Sequence, residues 1–157
     1  MTNACDSISA LSGPTVCVLD SNTVIALWHF ADPNLKPLQE LIMNRQLSLL
    51  TSIQALDELA IVLTRPAFGL SIEAQGNLLS EYRQWCRVVE SVEIQEGLPK
   101  CKDRDDQKFL NLAWQEKAGL LLTRDKALLK LAKRKQWGGQ LNIQSPEIFV
   151  QNIRPTV

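Results

Sequence analysis

The chain has 157 residues, 45% of them hydrophobic and 22% charged, which matches one compact domain with a real core. Seventeen Lys plus Arg balance seventeen Asp plus Glu, so any surface for nucleic acid must be local rather than a property of the whole protein. Cys5, Cys17, Cys86 and Cys101 lack C-x-x-C spacing and His29 is the only histidine, which argues against a structural zinc centre and against a histidine-dependent hydrolase.

Residues 1–15 read as an N-terminal extension without the basic start and apolar run of a secretory signal. No later run is long enough to span a bilayer, so a soluble cytoplasmic protein with reduced, buried cysteines is expected. Val16-Cys17-Val18-Leu19 is a continuous apolar run ending at Asp20, the pattern of a buried parallel strand. Helices are expected from about Thr23 to Phe30 and Leu35 to Arg45, then a second strand at Leu47–Leu50. Thr51-Ser52-Ile53-Gln54 fits a capping box, opening a helix that should run to about Arg65 before Pro66, with Glu58 in its middle.

Ser71 to Trp85 follows as a helix on its Ile72, Leu78, Leu79 and Trp85 pattern, and Arg87–Val92 reads as the third strand. From Asp105 a helix carries Phe109, Leu110, Leu112, Ala113 and Trp114 and should end near Gly119. Leu120–Thr123 makes the fourth strand. A helix from about Lys126 to Gln136 should close at Gly138-Gly139, and Leu141–Gln144 forms the fifth strand before a short helix at Ser145-Pro146. Strands alternating with helices over short connections predict a three-layer α/β/α sandwich around a mostly parallel, about five-stranded sheet. The domain is expected over 16–150, with 151–157 as a tail.

In open parallel sheets the site lies beyond the carboxyl ends of the strands, where Asp20 and Asp125 fall. Asp106 shares a helix side with Phe109, Leu110 and Ala113, and Glu58 has Ala55, Ile61 and Val62 as helical neighbours, so Glu58 requires a partner; its non-catalytic reading is a pair with Arg65 or Arg124, or a wetter helix edge. Taken singly, Asp20, Asp106 and Asp125 fit helix capping as well as catalysis. Together they fit a hard divalent cation, Mg²⁺ or Mn²⁺, which removes the repulsion among clustered carboxylates and suits phosphoryl chemistry.

VCVLDSNTVI, from Val16 to Ile25, resembles the opening of PIN-domain nucleases. That resemblance implies a metal ligand at Asp20, an orienting role for Asn22, and Ser21 in place of the usual Thr. ALDELAIVLTRP, from Ala55, is similar to the second motif of the family and implies that Glu58 is a ligand. CKDRDDQKFLNLAWQEKAGLLLTRDKALLKL, from Cys101, resembles the third and fourth motifs of the toxin branch of toxin-antitoxin pairs, with Arg104 where Pro is frequent. It implies that Asp106 and Asp125 complete the ligands, that Thr123 supports them, and that Asp103 and Asp105 lie outside them. It further implies an RNA substrate, a protein antitoxin and a homodimer; the alternative is a PIN module that binds RNA or a protein without cutting.

Arg124, Lys126, Lys130, Lys133, Arg134 and Lys135 make a local basic stretch after the last acid. They read either as a solvated helix face or as holders of a phosphate backbone together with Lys108 or Arg65. Trp28, Trp85 and Trp114 fit the core, and Trp137 is open to stacking on a base. A phosphate-accepting receiver would need a second acid beside Asp20, where Ser21 stands, and the glycines form neither G-x-G-x-x-G nor a P-loop.

Overall fold

The computed structural model describes residues 14–153. These residues form strands β1 (Thr15–Leu19), β2 (Leu47–Ser52), β3 (Cys86–Val89), β4 (Leu120–Leu122) and β5 (Asn142–Gln144). Seven α-helices connect and follow them: α1 (Ser21–Trp28), α2 (Lys36–Met43), α3 (Ile53–Leu63), α4 (Ile72–Gln84), α5 (Gln107–Gln115), α6 (Lys126–Leu129) and α7 (Pro146–Ile153). All strand pairs are parallel, in the order β3-β2-β1-β4-β5.

The apolar runs follow from burial of both sheet faces. Cys17 and Leu19 of β1 pack on one face with Leu49, Leu122 and residues of α1, α2, α4 and α7. Val18 points to the other face, with Leu50, Leu121 and Ile143, beneath α5 and the segment from Leu128 to Trp137. Two-residue alternation thus assigns each strand residue to one of two cores, giving the expected three-layer α/β/α sandwich. The chain builds outward from β1 through β2 to β3, then returns to place β4 on the other side of β1. The order reverses between β1 and β4, and the crevice at that reversal is where Asp20 and Asp125 emerge.

Several elements depart from expectation for tertiary reasons. The predicted helix over 126–136 stops at Leu129, and a 3-10 turn follows at Lys135–Trp137. The Trp137 indole Nε1 donates to the Leu131 carbonyl at 2.7 Å, and its ring, 2% exposed, lies 5.6 Å from that of Trp114. Burying this side chain outweighs continuing the helix and removes Trp137 from any role in base stacking.

α5 ends at Gln115 rather than near Gly119, because Lys117 takes the left-handed position at φ 57° and Ala118 N–H returns to the Ala113 carbonyl at 2.8 Å. Gly119 instead donates to the Val16 carbonyl at 3.1 Å and leads into the sheet. The cap of α3 is Ser52, whose hydroxyl accepts from Ala55 N–H at 3.1 Å, while Thr51 still belongs to β2. β3 ends at Val89 rather than Val92, Ile72 is 88% exposed instead of packed, and α7 continues past 150 to Ile153.

Cys17, Cys86 and Cys101 are free thiols, and burial pushes all three up in pKa; Cys5 lies outside the described residues. No described helix is long and apolar enough to cross a membrane.

Candidate metal centre

Asp20 is 4% exposed and held at both oxygens. Its Oδ1 accepts from Thr23 N–H at 2.9 Å, capping α1, and its Oδ2 accepts from the Thr123 hydroxyl. Thr123, fully buried just after β4, also accepts from Asp125 N–H at 2.9 Å through the same oxygen. One hydroxyl therefore ties the ends of β1 and β4 together. Asp125 in turn caps α6, its Oδ1 accepting from Ala127 N–H at 2.7 Å and Leu128 N–H at 3.2 Å.

Capping thus describes Asp20 and Asp125 correctly as far as it goes. It does not describe Asp106, which stands at the N-cap of α5 with no side-chain hydrogen bond to the helix. Asp103, Asp106 and Asp125 each bring a carboxylate oxygen within 4.8 Å of the others. Partial burial, the adjacent Asp125 carboxyl, which favours a protonated neighbour, and the charges of Asp125, Asp103 and Asp20 push the Asp106 carboxyl up to about 7. Burial also raises Asp20, against the hydrogen bonds from Thr123 and Thr23 that favour its ionised form.

Glu58, half-buried on α3, accepts from the Ser21 hydroxyl at 3.1 Å and is ion-paired with Lys108. The expected partners are otherwise placed. Arg124 binds Glu147 at 2.7 Å and Asp32 at 3.1 Å, which commits its guanidinium away from the acids. Arg65 lines the acid cleft together with Lys108.

That cleft, about 610 Å³, gathers Asp20, Ser21, Asn22, Glu58, Asp103, Asp105, Asp106 and Asp125. Asp103 also accepts from Asp105 N–H at 3.0 Å, closing the 3-10 turn that delivers Asp106. Lys126, Lys130 and Lys133 are exposed and do not line the cleft. The Lys108–Glu58 pair was invisible to local pattern, since fifty residues separate the two.

Gln107, Asn111 and Gln115 also escaped notice, although their i, i+4, i+8 spacing on α5 was readable. Their side-chain oxygens accept from Cys101 N–H at 2.6 Å, Gln95 N–H at 3.4 Å and Glu93 N–H at 2.8 Å. They fix the non-repetitive segment leading to the acids.

The donors that converge are all oxygens, with no thiolate or imidazole lining the cleft. Among them, the uncapped Asp106 is held toward its protonated form by partial burial and by neighbouring carboxylates. A hard divalent cation fits this arrangement, because it replaces the proton and cancels the repulsion that raises Asp106.

The model of the PIN domain family matches residues 16–127, a span that contains all of these acids and the first four strands. An uncharacterised protein of Methanocaldococcus jannaschii is 24% identical over 142 residues, covering 87% of this chain and 90% of the relative. With the parallel sheet, the acids at its switch point and the family match over most of its length, the chain belongs to the PIN-domain family, whose fold is that of a nuclease.

Proposed function

We propose that the protein is a metal-dependent endoribonuclease and the toxin component of a toxin-antitoxin pair. The observation that carries this reading is the meeting of Asp103, Asp106 and Asp125 within 4.8 Å at the switch point, with Asp106 neither capping a helix nor paired to a cation. Asp20, Glu58, Asp106 and Asp125 would hold one or two Mg²⁺ or Mn²⁺ ions. Bound there, the ion supplies Lewis acidity toward a phosphodiester and lowers the pKa of the attacking water.

The protein's own residues do the remaining work. Thr123 and Thr23 N–H fix the Asp20 carboxylate and Ser21 holds Glu58, whose charge Lys108 partly neutralises. Asp106, whose carboxyl is held up to about 7, would bind the ion in its deprotonated form. Arg65 and Lys108, both on the cleft wall, hold the non-bridging phosphate oxygens.

RNA as substrate rests on the resemblance to toxin-type PIN proteins, since an activated water needs no 2′-hydroxyl. Lys126, Lys130 and Lys133, exposed outside the cleft, serve as a field that attracts the strand. The same resemblance supports a cytoplasmic protein with a homodimer and a protein antitoxin as partners. Phe30, 61% exposed and 6.1 Å from the Phe68 ring, provides apolar surface of the kind a partner covers.

The test is cleavage of labelled single-stranded RNA and DNA by purified protein in Mg²⁺ or Mn²⁺. EDTA, Asp20→Asn, Glu58→Gln and Asp106→Asn serve as controls. Metal-dependent cutting of RNA, abolished by each, is expected; metal binding without turnover on any strand would identify a binding module instead.

A further inference from the structure

A second concavity, about 790 Å³, adjoins the acid cleft and shares Gln54, Asp105 and Lys108 with it. The two therefore form one continuous trough. Its far wall carries Lys100, Lys102 and Arg104, all exposed, and none makes an ion pair among the described residues. Glu96 and Asp105 are the acids on this wall, so against Lys100, Lys102, Arg104 and Lys108 this end of the trough is net positive, whereas the acid cleft that it joins is net negative.

The wall is a built feature. The amides of Gln107 and Asn111 hold its backbone at Cys101 and Gln95, and Gln107 Nε2 donates to the Pro99 carbonyl at 3.3 Å. Leu98 and Val92, partly buried against the core, supply an apolar side.

We infer that this trough is the seat of a single-stranded polynucleotide whose phosphates are held by Lys100, Lys102 and Arg104, with Lys108 at the junction where the strand enters the acid cleft. The inference rests on the nuclease reading for the place of cleavage, not for the groove itself. A duplex keeps its phosphates on the outside of a broad cylinder and does not enter a cleft, whereas a single strand follows a basic groove with its backbone. None of the four tryptophans lines the trough, so base stacking contributes little. Binding is then dominated by phosphate contacts, strongly salt-dependent and weakly dependent on sequence.

The experiment is fluorescence anisotropy of a short labelled single strand of mixed sequence, as RNA and as DNA, over a range of KCl in EDTA. Wild type is compared with Lys100→Ala/Lys102→Ala/Arg104→Ala and with Lys36→Ala/Arg83→Ala/Lys117→Ala, which removes the same charge elsewhere. The groove variant is expected to bind both strands roughly tenfold or more weakly, with the slope of log K against log salt reduced by about 2, while the second variant binds as wild type. Equal binding by the groove variant, equal loss in both variants, or a wild-type preference for duplex would overturn the groove. Cleavage by the same preparations in Mg²⁺ separates the two ideas: cutting that persists with the groove variant unimpaired removes the groove and leaves the nuclease. Wild type that binds strands through these residues but never cuts removes the nuclease and leaves the groove.

Discussion

Lys108 on α5 and Glu58 on α3 form an ion pair at the floor of the acid cleft, with the Lys108 side chain only 9% exposed. The ammonium binds the Glu58 carboxylate and the Asp105 carbonyl in the lining of the acid cleft, where its charge competes electrostatically with a divalent ion while favouring a phosphate. Lys108→Met is therefore expected to raise Mg²⁺ affinity several-fold and to weaken RNA binding. Without metal it should lower stability by about 1 kcal/mol, because Glu58 loses its partner. Calorimetric Mg²⁺ titration and thermal denaturation check the two effects; a fall in Mg²⁺ affinity would show that Lys108 organises the ligands instead.

Thr123 is buried without exposure and serves two acids with one hydroxyl. Thr123→Val keeps the shape, strands the Asp125 N–H and removes the donor to Asp20. A stability loss of about 1–3 kcal/mol in urea is expected, with weaker metal binding. Thr123→Ser, which retains the hydroxyl, should recover most of both; equal damage in the two variants would assign the effect to the lost methyl group.

Asp125 caps α6 and faces the acid cluster, and the two roles can be separated. Asp125→Asn keeps a capping oxygen and should stay within about 0.5 kcal/mol of wild type in stability while losing most Mg²⁺ affinity. Asp125→Ala loses the cap as well and should cost about 1 kcal/mol more. Equal melting temperatures for the two would show that the cap contributes nothing.

The Asp106 carboxyl is pushed from 3.8 to about 7, so the folded metal-free protein binds a proton that the unfolded chain releases. The sign follows from linkage: this group's contribution to stability is fully present below about pH 4 and is lost as pH rises toward 7. An entering ion displaces the proton, so Mg²⁺ should raise the melting temperature more at pH 8 than at pH 5.5. Differential scanning fluorimetry with and without Mg²⁺ measures this, and Asp106→Asn should remove the difference. A larger Mg²⁺ effect at the lower pH would contradict the assignment.

Much of this arrangement was legible before any coordinates. Asp20 and Asp125 follow apolar runs that only a doubly covered parallel strand explains, and the carboxyl ends of such strands converge at the switch point. The stretch after Asp125 departs from its expected helix because the spacing of Leu128 and Leu131 is equally satisfied by separate turns that bury the same side chains. Only the indole's hydrogen bond to Leu131 decides between them. Glu58 was identified as needing a partner, but its choice of Lys108 over Arg65 or Arg124 depends on how α3 and α5 cross, which no local pattern encodes. Asp103, expected to lie outside the ligands, brings a carboxylate oxygen within 4.8 Å of Asp106 and Asp125 through the 3-10 turn that follows it.

The three amide side chains of α5 grip main-chain atoms at Glu93, Gln95 and Cys101 rather than any side chain of that segment. The path of the segment is therefore set by main-chain contacts together with the inward packing of Val92, Leu98 and Cys101 and the left-handed Gly97, and not by its exposed charged side chains. Its outward side chains can be exchanged wholesale without moving Asp103 or Asp106, which follow directly after it. The protein thereby keeps what it recognises and what it cuts on separately adjustable side chains: a different set of charges at 96, 100, 102 and 104 would retune the target while the acids stayed where they are.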